Sequence, residues 1–332
     1  MRLIFIILIS LVLTSSVNAK CNFNCSKDKP TSDSFKKDIS SIMVGDAKSG
    51  YKFDERNVSH NEAFKMIEHQ GLYSANFKLG MNMKGVKDDW VRNGVTGYAQ
   101  RFEYGEQKQY TQKFDKEIWT RIVFWLPEDT VSKDQTTLFD LKEIRNNQQF
   151  GPLLNLAIRD EGKGSILKIK HNFDKNDCVI GKDGDGENSF CDKIDVNIII
   201  GPIKKFTNRW VNFVSRAIWS NQDKGAYDAW IDDKKIIRYR GKTSFGADTI
   251  SFKFGLYRIG LNKTKNPKDI EIYFTKVGTA GKCNELELTN CDYFKKNLQL
   301  DGYPNVQRVF RIDVNEKKEF LYSGGKVIKY FN

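Results

Sequence analysis

Residues 210–240 read WVNFVSRAIWSNQDKGAYDAWIDDKKIIRYR. Apolar and polar side chains alternate from Trp210 to Trp219 and again from Tyr227 to Arg240, which is the period of a strand with one dry face. The same alternation recurs in Trp119–Leu126 and Ile270–Val277, with Gly, Asn, Asp and Pro turns between the runs. Many short alternating strands predict an all-β chain built as a two-sheet antiparallel β-sandwich. Only Asn61–Glu68 and Cys291–Leu298 read as helices, and no βαβ alternation or repeat is present. The expected organisation is a signal peptide over 1–19, a polar arm over 20–49, the sandwich over 50–280 and an extension over 281–332. That extension carries strand-like runs at Val309–Val314 and Phe320–Tyr330, turning at Gly324 and Gly325.

Composition sets the setting in which such a sandwich works. The 332 residues include 54 Lys+Arg against 42 Asp+Glu, with 23 Phe, 13 Tyr and 6 Trp. That excludes a disordered, collagen-like or multi-span membrane chain and leaves ample material for a core. Met1 and Arg2 precede an apolar run, Leu3–Leu13, and a small-residue stretch ending at Ala19, the pattern of a secretory signal. Lys20 before Cys21 is a poor lipoprotein context, so a secreted or periplasmic protein free of the membrane is expected, as a monomer. Cleavage after Ala19 leaves a charge of +11, which suits a polyanionic partner. The cysteines fall in three close pairs, Cys21/Cys25, Cys178/Cys191 and Cys283/Cys291, which in an exported chain read as disulfides. Zinc is the weaker reading, because the spacings are unequal and His60, His69 and His171 are the only histidines.

The concave face of a curved jelly roll is a long groove that suits a linear polymer, and an acidic polysaccharide fits the charge better than a nucleic acid. Hydrolysis needs two carboxyl groups across the scissile bond. The nearest pair, Asp140 and Glu143, is three residues apart and so points to opposite faces of a strand. Elimination from a uronate instead needs a neutralised carboxylate, a base at C5 and an acid for the departing O4. In Ser251–Arg258, Lys253 and Tyr257 share a face and flank Gly255, whose lack of a side chain would admit a sugar ring. The Lys253 ammonium would favour ionised Tyr257. An ordinary amphipathic strand is the competing reading of these spacings.

These residues resemble the jelly-roll polysaccharide lyases of the heparin lyase and alginate lyase type, which share a concanavalin-like fold. Lys253-x-Gly255-x-Tyr257 is similar to their Lys-x-Gly-x-Tyr strand. Trp210–Ser220, Gly225 to Trp230, Ile231, Asp232 and Tyr239–Gly241 resemble their Trp-initiated strand and the hairpin after it. Arg101-Phe102-Glu103 resembles their Arg-x-Glu strand, and Ile270–Val277 their closing strand. The resemblance implies Tyr257 as the proton-transfer residue, Lys253 as a substrate or charge-stabilising group and Arg101 as a bidentate ligand of the uronate carboxylate. An ion pair of Arg101 with Glu103 is the structural alternative.

Where many relatives carry Gln-x-His, this chain has Asp140-Leu141-Lys142. Lys142 would be a base only with its pKa well below ~10, as burial or nearby cations achieve. An ionised Asp140 cannot neutralise a carboxylate, which points to Arg145 or Asn146 for that task. Arg258 joins Lys253, Arg145 and Asn146 as an expected substrate ligand. Without cleavage, the same fold would be a carbohydrate-binding protein; a sandwich hydrolase is the third reading.

Asp183-Gly-Asp-Gly-Glu187 resembles the start of a calcium loop but lacks the later ligands of an EF-hand, so a solvated hairpin tip is the simpler reading. No cofactor is required, and calcium is the one ion left open. The sequons at Asn57 and Asn262 matter only in a eukaryotic secretory pathway. The three histidines are not expected in catalysis. Trp90, Trp119, Trp125 and Trp230 are read chiefly as core, with sugar stacking as the alternative.

Overall fold

The computed structural model describes residues 39–46, 64–80, 83, 91–92, 95–106, 111–130, 135–145, 148–160, 164–171, 196–222, 224–244, 247–261, 268–296, 308–313, 318–323 and 326–331. The signal region, Cys21, Cys25, His60, Asn146, Cys178, Asp183–Glu187, Cys191 and both sequons lie outside the described residues. In chain order the strands are β1 Phe64–His69, β2 Leu72–Leu79, β3 Val91–Arg92, β4 Val95–Thr96, β5 Ala99–Gly105 and β6 Glu117–Trp125. Next come β7 Gln135–Arg145, β8 Gln148–Asp160, β9 Ser165–His171, β10 Val196–Pro202, β11 Trp210–Ile218 and β12 Ala226–Ile231. The last are β13 Lys234–Arg240, β14 Thr249–Ile259, β15 Ile270–Ala280, β16 Arg308–Asp313, β17 Lys318–Ser323 and β18 Lys326–Phe331. A short helix, α1, spans Cys291–Lys296.

Among the described residues the strands form two main antiparallel sheets, a ten-stranded one (β1-β2-β15-β6-β11-β12-β13-β16-β17-β18) and a six-stranded one (β10-β9-β8-β7-β14-β5). Alternation dictates which faces meet. Phe252, Phe254 and Leu256 of β14 and Phe139 and Leu141 of β7 are buried toward Phe77, Phe124, Phe213 and Phe274 of the large sheet. Ring contacts cross the interface, Phe139–Phe213 at 4.8 Å and Phe254–Phe274 at 5.4 Å between centroids. Removing one such buried ring typically costs about 3–5 kcal/mol. This is the all-β jelly-roll sandwich that the alternation predicts.

Two expectations change, and the tail's runs take the form of extra strands. The stretch read as a helix over Asn61–Glu68 is, in its described part, strand β1, paired Phe64↔Phe77 to His69↔Leu72 with β2. Its apolar Phe64, Met66 and Ile67 fit either period, and the pairing that buries Phe64 against Phe77 and Tyr104 decides for strand. Ile39, Ile42 and Met43, in the stretch read as an arm, are buried in the main core, and Met43 bridges Val277 of β15. In the extension, β16 pairs with β13, so β16–β18 continue the large sheet.

Residues 283–294 close over the other face of the large sheet. There Trp119 and Trp230 stack at 6.1 Å beneath Phe294, Leu286 and Cys283, forming a second small core. The Cys283–Cys291 disulfide ties this cover together. Arg121 donates to the carbonyls of Leu286 and Glu287 and satisfies the end of the turn. Trp119 and Trp230 are therefore core residues. No helix among the described residues is long and apolar enough to cross a membrane.

Candidate active site

The site residues gather on the face of the six-stranded sheet that is turned away from the core. Antiparallel register places directly opposed residues on one face. Across β5, β14 and β7, Tyr257 stands opposite Arg101 on one side and Thr137 on the other. Beyond Gly255 on the same face, Lys253 stands between Gly105 and Asp140, and Ser251 opposes Lys142. Arg101, Tyr257, Lys253, Asp140 and Lys142 thus come from three adjacent strands onto one surface.

Arg101 and Tyr257 form the best-defined pair. The Arg101 guanidinium carbon lies 4.3 Å from the Tyr257 ring centroid, a cation–π contact that fixes both planes. Arg101 also sits 3.6 Å from the Glu103 carboxylate, so the structural ion pair and the substrate-facing position coexist. Lys253 is almost fully buried because its aliphatic stem lies over Gly105, where a β-carbon would come within 3.1 Å of it.

Gly255 has a structural reason to be glycine. Its φ is +138°, and a β-carbon there would lie 2.3 Å from the Phe102 carbonyl oxygen. The glycine accommodates an irregular step between β14 and β7, where pairing shifts between Phe254 and Tyr257. It serves the close approach of two strands.

Asp140 is the unusual member. It is buried, its Oδ2 lies 3.4 Å from Lys142 Nζ, and its Oδ1 has no hydrogen-bond partner. Burial is the largest influence and pushes its carboxyl above the ordinary carboxylate range, Glu103 adding to the rise while Lys142, Lys253 and Arg101 oppose it. Glu143 lies on the opposite face, opposed to core Ile250, where it accepts a 2.6 Å hydrogen bond from Ser244 Oγ. Asp140 and Glu143 therefore cannot flank one scissile bond.

Other residues fall elsewhere. Arg258 shares the core-side parity of Phe254 and Leu256, is buried, and donates through Nη1 to the Lys268 carbonyl at 2.6 Å. That placement removes it from the substrate face. Arg145 stands at the end of β7 opposite Gln148. His69 lies on the far face of the large sheet, stacked on Tyr273 at 3.7 Å and edge-on to Trp125 and Trp210, and burial lowers its pKa. Among the described residues no group of three His, Cys, Asp or Glu side chains is placed to hold a metal ion.

The register adds residues that the sequence alone does not reveal. Asn155 of β8 opposes Asp140, is buried, and has an Oδ1 without a hydrogen-bond partner. Beyond it on β9, Lys170 opposes Asn155 and Lys168, itself buried, opposes Ala157, so cationic side chains recur two strands from Asp140. The available signal is the alternation of lysines in Ile166-Leu-Lys-Ile-Lys170, which marks a basic face once β9 is known to be a strand.

Residues 49–278 match the family model described as "Polysaccharide lyase". No curated protein sequence matches the chain. Among solved structures, an endo-β-1,4-glucuronan lyase from the fungus Trichoderma reesei is similar over 71% of this chain and 93% of its own, at 14% identity and a TM-score of 0.49. The family 7 alginate lyase A1-II′ is similar over 67% of this chain and 84% of its own, at 13% identity and a TM-score of 0.44. The alginate lyase PA1167 from Pseudomonas aeruginosa covers 67% and 86%, at 11% identity and a TM-score of 0.42. With its family model spanning the sandwich and the cationic, tyrosine-bearing face, the chain belongs to the polysaccharide lyase family.

Proposed function

We propose that the protein is a secreted lyase that cleaves an anionic, uronate-containing polysaccharide by β-elimination. The observation that carries this reading is Tyr257, held under the Arg101 guanidinium on a face that also presents Lys253 and Lys142. Cations around the uronate carboxylate stabilise the negative charge that develops when the C5 proton leaves. Tyr257 takes that proton as phenolate, electrons form the C4–C5 double bond, and the C4–O4 bond breaks. The same hydroxyl then returns a proton to O4, so one residue serves as base and acid in turn. Lys142 supplies a cation where a histidine is common among relatives. Arg101 offers the planar fork that pairs with a carboxylate. The signal sequence and the charge of the mature chain support a site of action outside the cytoplasm.

The test is ultraviolet absorbance of new unsaturated uronate ends after mixing the purified protein with alginate, glucuronan, heparin, chondroitin and pectate. A rise with one polymer is the expected result and names the substrate. Binding with flat absorbance and no new reducing ends overturns elimination in favour of a carbohydrate-binding protein. Flat absorbance with new reducing ends overturns it in favour of hydrolysis.

A further inference from the structure

The site holds more buried acid than a uronate-binding surface needs. Asp140 and Glu103 are both buried on the face where an anionic sugar would lie, among Arg101, Lys142, Lys253 and, two strands from Asp140 on β9, Lys168 and Lys170. Among the described residues Asp140 has a single cation within 4 Å, Lys142 at 3.4 Å, and its second oxygen accepts no hydrogen bond there. A carboxylate arriving from substrate competes for that cation.

We propose that Asp140 takes up a proton when an anionic sugar unit binds, so that substrate binding is coupled to protonation of this buried carboxyl. The argument rests on the reading of the site as one for uronates. Once the sugar carboxylate draws Lys142, Lys253 and Arg101 to itself, the attractions that favour ionised Asp140 weaken. What remains is burial and the repulsion of Glu103, and both favour the neutral acid. The empty site already leans that way, since burial outweighs the cations there. A protonated Asp140 gains an O–H, and across β7 and β8 the Asn155 Oδ1, buried and without a partner, supplies an acceptor. The balance is one proton from solvent to one Asp140 oxygen, with no other bond changed. Neutral polymers bring no competing carboxylate and draw no proton, so the device distinguishes charged from uncharged sugars.

Calorimetry on the full chain carrying Tyr257→Phe, which binds without turnover, tests this in buffers of different ionisation enthalpy at one pH. The ligand is the polyuronate that responds in the absorbance panel, used above pH 5 where its own carboxylates are ionised. The expected result is uptake of about one proton per occupied site, with affinity falling up to about tenfold per pH unit between the titrations of Asp140 in the empty and filled sites. Adding Asp140→Asn should keep binding and abolish both the uptake and the pH slope. Uptake that persists in the Asn variant places the proton elsewhere and overturns the proposal. Should that variant not fold, the Tyr257→Phe chain decides alone: affinity flat from pH 5 to 8 overturns it. A polymer that is cleaved and bound without proton uptake defeats this inference only, whereas failure of every polyuronate to bind defeats the uronate reading and this inference with it.

Discussion

Asp140 and Asp228 are two buried carboxylates among cations, on opposite outer faces of the same sandwich. Asp228 of β12 has Arg240 Nη1 at 2.9 Å, Arg216 Nη1 at 3.6 Å and Lys235 Nζ at 4.0 Å. Arg216 is itself held by Glu117, donating through Nε at 3.0 Å and Nη2 at 2.9 Å. Among the described residues Asp140 has only Lys142 at comparable range. Burial pushes both carboxyls upward. Their difference is therefore in the company each keeps: Asp228 is enclosed by three cations as an internal counterion, whereas Asp140 stands with fewer on the face proposed to bind polymer. A structural network surrounds its charge; a binding surface leaves room for another.

The largest effect that separates the two faces is expected from Tyr257→Phe. Removing the hydroxyl should lower turnover by about 10³-fold, within the usual 10²–10⁴ contribution of general acid–base groups. Binding should change only a fewfold, because the ring and its Arg101 contact remain. Rates from the absorbance assay, set against calorimetric affinities, make the measurement. Turnover that survives the change would remove Tyr257 from the chemistry and leave its face no different in kind from that of Asp228.

Asp228→Ala should act on stability instead. It leaves Arg216, Lys235 and Arg240 clustered around an empty position, and breaking a buried pair from one side typically costs about 3–5 kcal/mol. Urea unfolding should show the loss, while the rate per folded molecule stays near that of the parent. A stability change below about 1 kcal/mol would mean that the Asp228 cations are solvated well enough to need no counterion, and the contrast with Asp140 would collapse.

Gly255→Ala tests how closely fold and site are joined on β14. The new β-carbon would meet the Phe102 carbonyl at 2.3 Å at a φ of +138°, so β5 and β14 must separate or twist. A cost of about 1–3 kcal/mol is expected from backbone strain of this kind. Arg101 and Tyr257 sit on these two strands, so catalytic rate should fall along with stability. Equal stability to the parent in thermal melts would show that the irregular step relaxes without strain.

The sandwich is legible in the sequence because each strand has one dry face, and alternation in Trp119–Leu126 or Trp210–Trp219 admits one reading. Phe64–His69 is less legible: its apolar positions fit two periods, and only pairing with β2 resolves them. Lys253, Gly255 and Tyr257 could be read together because one strand carries all three. Parity along the same strand also places Arg258 with Phe254 and Leu256, which adjacency to Tyr257 obscures. Asn155, Lys168 and Lys170 could not be read, since they join the face only through register across β7, β8 and β9, and β7–β8 pairing shifts at several positions. Local chemistry is written along a strand, whereas the membership of a surface is decided across strands.

The smallest expected effect concerns pH and stability without ligand. A carboxyl whose folded pKa is raised holds its proton to higher pH than the unfolded chain does. Its contribution is present below the unfolded value of about 3.9 and is lost as pH rises through the folded one. The parent should therefore lose stability relative to Asp140→Asn as pH rises above the unfolded value of about 3.9, the reverse of an ordinary salt-bridged aspartate. Asp228→Asn should give the same sign, because burial is the leading influence there too. Adding the polyuronate separates them: bound polymer should raise the pH range of the Asp140 difference and leave that of Asp228 where it was. Urea midpoints for the three proteins at several pH values, with and without polymer, make the comparison. A shift of both ranges together would mean that the two carboxylates respond to the overall field of the bound polyanion, not to competition for particular cations.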